Sequence, residues 1–279
     1  MNLRSLLHAF ALLAIGLTPS VAPGQEVITR DGKITRTQGL RRDGNFLFLK
    51  PVKSEGAPET LIPTAQVERI VFSEPSELAE AKSLAASGNA EAVLEKTKAL
   101  LAFARPFADL NANLWPEILR LHLAAIASSA HSESLGELQK IWVPTGDADI
   151  DGAYKLIASM APGADRTSFE ALWRSHARPG ATTLCAALSW LELGESALKA
   201  GNWNEAIRAF LSIEVFAAKH SLIQPRALLG AAKGLKARGD SRESASLLSD
   251  LSTLYPNSSA FRSAADLFPR ANTPSLQKQ

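Results

Sequence analysis

The sequence predicts a mainly α protein: an α-solenoid of helical hairpins preceded by a small all-β module. Three observations carry the prediction. Short extended runs punctuated by Asp-Gly pairs give way at Ser76 to apolar residues at helical spacing. From Trp190 to Pro256, two helix–turn–helix hairpins repeat one spacing pattern. Ala and Leu abound while aromatics make up only 6% of the 279 residues, which favours helix. The expected organisation is a leader at 1–24, a β module at 25–75, a helical domain at 76–268 and a disordered tail at 269–279.

The leader reads as a secretory signal peptide. Arg4 supplies the positive start, and Ser5 to Leu17 form an apolar run too short to span a bilayer. Thr18, Pro19 and Ser20 break that run, and small residues at Ala22 and Gly24 place cleavage before Gln25. No Cys follows the run, so a lipoprotein anchor is not indicated. The protein is therefore expected to be exported, periplasmic or envelope-associated, and soluble after cleavage. Cys185 is the sole cysteine and lies in the apolar run Thr183 to Leu193. It has no internal disulfide partner and is expected to be a small buried hydrophobe.

The β module is read from Val27-Ile28-Thr29, Lys33 to Arg41, Asn45 to Leu49, Leu61 to Pro63 and Val67 to Phe72. Asp31-Gly32 and Asp43-Gly44 between extended runs favour tight hairpins, because Gly accepts positive φ. A polar loop, Lys53 to Thr60, precedes the last two strands. Over some 45 residues this pattern resembles an Sm-like or SH3-like mini-barrel. The Sm-like resemblance implies RNA binding, with Arg36, Arg41, Arg42 and Lys50 as a basic strip and Phe46 or Phe48 as a stacking surface. We instead expect a solvated strand face over core phenylalanines, since exported proteins rarely meet RNA. A net charge of +2 is also too mild for a nucleic-acid partner.

The helical domain opens with Ser76 as N-cap and Leu78, Ala81, Leu84 and Ala85 on one face. Ser87-Gly88-Asn89 turns the chain into a second helix, Glu91 to Phe103. Further helices are expected from Leu114 to Ser129, from Ser132 to Trp142, up to Met160, and from Asp165 or Thr167 through Trp173. Pro179-Gly180 then punctuates the chain. A final helix, Ser259 to Phe268, would cap the stack.

In the strongest hairpin, Trp190, Leu193 and Ala197 share one helix face. Gly194 is small where a second helix must approach closely. Gly201-Asn202 makes the turn, Ala206 provides a second close contact, and Phe210 and Ile213 fill the gap. The next hairpin places Leu228, Ala231-Ala232, Leu235, Gly239, Ser244, Leu248 and Leu251 at matching positions, and Pro256 closes it. The two units are 38 residues apart. This spacing resembles the tetratricopeptide repeat, with an aromatic, Leu-Gly, a turn Gly, then Ala and an aromatic on the second helix. Residues 105–180 match it only in rhythm.

The resemblance implies that first helices of successive hairpins line a concave groove. Carried onto this chain, the groove-facing positions are Glu192, Glu195, Lys199, Lys233 and Lys236, a mixed surface suited to a peptide or protein segment. Asp147, Asp149 and Asp151 with Gly152 copy the start of a calcium loop, since alternate carboxylates can converge on one hard cation. The twelfth position is Ala158, however, where a bidentate Glu is needed. The competing reading is an acidic loop whose last Asp caps the next helix. His8, His122, His131, His176 and His220 form no metal-ligand pair, and no nucleophile elbow or phosphate loop occurs. The expectation is a non-enzymatic scaffold of the bacterial cell envelope, without cofactor, that binds another envelope protein or peptide. The alternative is a periplasmic small-ligand, calcium or cell-wall binding protein.

Overall fold

The computed structural model describes residues 24–52, 58–129, 132–159 and 166–267. The expected leader up to Pro23, most of the polar loop and the tail at 269–279 lie outside the described residues. The chain divides into two compact units between Glu77 and Leu78.

The first unit is a five-stranded antiparallel sheet. Its strands are β1 (Gln25–Thr29), β2 (Ile34–Asp43), β3 (Phe46–Pro51), β4 (Thr60–Pro63) and β5 (Val67–Val71), in the order β4-β3-β2-β1-β5. Gly32 and Gly44 turn the two hairpins with φ of +83° and +54°, as the Asp-Gly pairs predict. A 3₁₀ turn, Thr64–Gln66, leads into β5.

Strand alternation corrects one expectation. Side chains along β3 point to opposite faces in turn, so Leu47 and Leu49 enter the core opposite Ile62 and Thr60. Phe46 is left 42% exposed. Phe48 is half-buried under Arg41, whose guanidinium sits 3.9 Å from its ring centre. The β3 contribution to the core is therefore aliphatic, and the phenylalanine buried in this unit is Phe72, not Phe46 or Phe48. The basic strip is largely neutralised: Arg36 pairs with Glu26 at 2.9 Å and Arg41 with Glu59 at 3.2 Å, while Arg42 donates to the Gly44 carbonyl.

The second unit is helical. Its helices are α1 (Ser76–Ala86), α2 (Ala90–Ala104), α3 (Leu114–Ser128), α4 (Ser132–Ile141), α5 (Ala148–Ser159), α6 (Arg166–His176), α7 (Leu184–Lys199), α8 (Trp203–Phe216), α9 (Gln224–Arg238), α10 (Ser241–Leu254) and α11 (Ser259–Leu267). Caps stand where local chemistry demands them. Asn89 accepts from the Ala92 amide at 3.2 Å and Thr183 from the Ala186 amide at 3.1 Å. Gly239 ends α9 with φ of +103°. No described helix is long and apolar enough to cross a membrane.

Helices α7, α8, α9 and α10 pack each against the next. Helix α7 also meets α3, α5, α6 and α9, so its first half is buried on nearly every side. Phe210 on α8 is the wedge of this region. A Cβ at Gly194 would lie 2.7 Å from its ring, and one at Gly230 only 2.5 Å. The ring thus sits between the bare backbones of α7 and α9. Trp190 stacks on Phe216 at 5.6 Å. In the next hairpin the Ser244 hydroxyl donates to the Ala232 carbonyl at 2.8 Å, so these two small residues abut.

The α2–α3 seam contains one polar pair. Thr97 Oγ1 lies 2.8 Å from His122 Nδ1, both residues being buried. Burial pushes the imidazole down from 6.5 to about 4. The folded state therefore holds His122 neutral while the unfolded chain takes up a proton. Nothing is lost above pH 6.5; as pH falls from 6.5 towards 4 the fold loses stability, and the loss reaches about 3 kcal/mol at pH 4. Burial lowers His220 as well and acts with the same sign. Urea midpoints at about pH 7 and pH 4.5 should differ accordingly, and His122→Gln should flatten the slope.

Candidate functional site

Among the described residues, the charged positions expected to face a groove do not behave alike. Glu192 is only 2% exposed. The expectation that it faces outward is therefore corrected, because α3, α5 and α6 pack around α7 and cover that part of the helix. Lys236 is exposed near the end of α9. Glu195, Lys199 and Lys233 come together. They line a cleft of about 450 Å³ bounded by α7, α9, the start of α11 and the end of α3.

Arg226 is the residue that organises this cleft. One guanidinium nitrogen lies 2.5 Å from Glu195 Oε1, and the other donates to the Ala127 carbonyl at the end of α3. This ties α9 to both α7 and α3. Ser259, at the start of α11, donates to the Ser128 carbonyl at 3.3 Å. Lys199 is exposed and Lys233 half-buried, and neither forms an ion pair among the described residues. The floor is Leu198, Leu229 and the Phe210 ring, which reaches the cleft because Gly230 has no side chain.

Sequence reasoning missed Arg226, Ser128, Ser129 and Ser259. One signal pointed to Arg226. It stands in the first turn of α9, which contains no acidic residue, and a cation there opposes the helix dipole. A residue so placed needs a partner elsewhere, and Glu195 with the α3 carbonyl end provides it.

A second cleft of about 370 Å³ lies among α1, α3, the start of α5 and the joint after α8. Its charges are largely spent internally, with Lys82 on Glu117 at 2.6 Å and Arg120 on Asp147 at 2.9 Å. That leaves the first cleft as the stronger candidate for a charged partner.

The three aspartates of the calcium-like loop serve the fold. Asp147 Oδ1 accepts from the Asp149 amide at 2.8 Å and its Oδ2 faces Arg120. Asp149 accepts from the Cys185 and Leu184 amides at 2.8 and 3.0 Å, capping α7 from a distance. Asp151 accepts from the Thr145 and Gly146 amides at 2.9 and 3.1 Å. The first aspartate, not the last, caps α5. All their carboxylate oxygens are engaged, and no cluster of His, Cys, Asp or Glu able to hold a metal occurs among the described residues. Millimolar calcium should leave the melting temperature unchanged. Asp149→Ala should cost about 1–2 kcal/mol in urea unfolding, because two amides at the α7 start lose a charged acceptor; Asp149→Asn should cost less.

Cys185 is buried beside this loop, its thiol donating to the Asp149 carbonyl at 3.1 Å. Burial, then the charge of Asp149, push it up to about 12. It stays a thiol at neutral pH and is not a nucleophile.

Comparison with protein-family models, with curated proteins and with solved structures found no match for this chain.

Proposed function

We propose that this protein is a non-enzymatic interaction scaffold of the cell envelope. It binds a peptide or protein segment in the cleft of Glu195, Lys199, Arg226 and Lys233. The observation that carries the reading is that cleft: an apolar floor with two lysines lacking ion-pair partners, bordered by the Glu195–Arg226 pair. Such an arrangement, with apolar side chains beneath two cations, suits a chain segment.

On the same reading, α7 to α10 are two units of a tetratricopeptide-like array. The wedge of Phe210 between Gly194 and Gly230 and the Ser244–Ala232 contact support it. The N-terminal sheet is an Sm-like or SH3-like mini-barrel, supported by the strand order β4-β3-β2-β1-β5 and the 3₁₀ turn before β5. The envelope location rests on the leader sequence.

Lysine-directed crosslinking in cells, followed by mass spectrometry of the envelope fraction, tests the proposal. Crosslinks from Lys199 or Lys233 to one partner are expected, and in Lys199→Glu/Lys233→Glu the same partner should no longer be captured through the remaining lysines. Crosslinks confined to other surfaces, or unchanged in the double variant, would overturn it.

A further inference from the structure

We infer that the cleft takes an acidic peptide segment bearing at least one apolar side chain, an inference that rests on the reading of the cleft as a binding site for a chain segment. Four observations set the sign of its potential. Arg226 and Glu195 neutralise each other at 2.5 Å. That leaves Lys199 and Lys233 as the uncompensated charges of the lining. The carbonyl end of α3 would normally repel an anion, but the Ala127 oxygen is taken by Arg226 and the Ser128 oxygen by Ser259. The start of α11, through Ser259 and Ala260, turns the positive end of a helix to the same cleft.

The apolar floor decides between a peptide and a free anion. Leu198, Leu229 and Phe210 lie beneath the lysines, so an inorganic anion would use the rim and leave the floor wet. A segment with carboxylates around a leucine or similar side chain satisfies both layers. Lysines are point charges on flexible stems, so they accept carboxylates in varied geometry and do not demand one fixed pose. Two cations in one cleft also differ from the extended basic stripe that nucleic acid requires.

The test is a random twelve-residue peptide library displayed on phage, panned on the purified chain. Selected sequences should be enriched in Asp and Glu with at least one apolar residue. A labelled peptide made from them should lose about tenfold or more in affinity in Lys199→Glu/Lys233→Glu and weaken as salt rises. Replacing its acidic residues by Asn and Gln should abolish binding, and inorganic phosphate should displace it poorly. The double variant should melt like the parent, which separates lost binding from lost folding. Neutral or basic selected sequences, acidic sequences that still bind the double variant, or displacement by low phosphate would each overturn the inference. Recovery of no peptide would overturn it too; crosslinks from Lys199 or Lys233 to a protein partner would then leave the scaffold reading standing.

Discussion

Phe210→Ala lowers the unfolding free energy by about 3–5 kcal/mol, among the largest losses expected from a single truncation in the helical unit. Phe210 is 1% exposed and fills a space whose walls come from α7 and α9. Those walls are backbone at Gly194 and Gly230, with no side chain to swing into the void. Relaxation is therefore poor and the cavity term large. Chemical denaturation checks this, with Val215→Ala as control. Val215 lies on the same helix but is 69% exposed, so its truncation should move stability by less than about 0.5 kcal/mol. The Phe210 variant should also weaken partner binding, because the ring is part of the cleft floor.

Gly194→Leu is the second large effect, and its sign discriminates. On an unpacked helix, replacing Gly by Leu stabilises by several tenths of a kcal/mol, since Gly is among the poorest helix formers. Here a Cβ alone would meet the Phe210 ring at 2.7 Å. Real Cβ atoms essentially never approach so closely, so α7 and α8 must separate. The expected result is a net loss of about 3 kcal/mol, at the upper end for overpacking. Gly194→Ala should lose less, and pairing it with Phe210→Leu should recover part of the loss through relief of the contact. Such non-additivity between touching residues is measurable by a double-mutant cycle. A Gly194 variant more stable than the parent would mean that the α7–α8 contact is not as described.

Much of this framework was legible in the sequence because it depends on local chemistry. The hairpin glycines and the 3.6-residue apolar spacing each act within a few residues of themselves. The Trp190-Gly194-Phe210 spacing spans one hairpin and was equally readable. Gly230 was not, because aligning the hairpins placed Ala232 opposite Gly194. Phe210 in fact serves two neighbours, and Gly230 faces it from the next hairpin.

The misreadings share a cause in distance along the chain. Glu192 looked like a surface charge because its own helix gives no hint that α3, α5 and α6 cover it. Asp149 copied a calcium-loop position, yet its carboxylate answers amides at Leu184 and Cys185. Arg226 went unnoticed because its partners, Glu195 and Ala127, are brought to it only by the fold. Phe46 was read as core because strand polarity depends on register, and the alternation sends Leu47 and Leu49 inward instead.

The most direct test of the central claim is site-specific photo-crosslinking in cells, with a photoreactive phenylalanine analogue placed in turn at Lys199, Lys233, Lys236 and Val215. The cleft account predicts one shared protein adduct from the Lys199 and Lys233 positions and none of that adduct from Val215, which lies exposed on α8 outside the cleft lining. An adduct from Val215 or Lys236, with none from the two cleft positions, would contradict it.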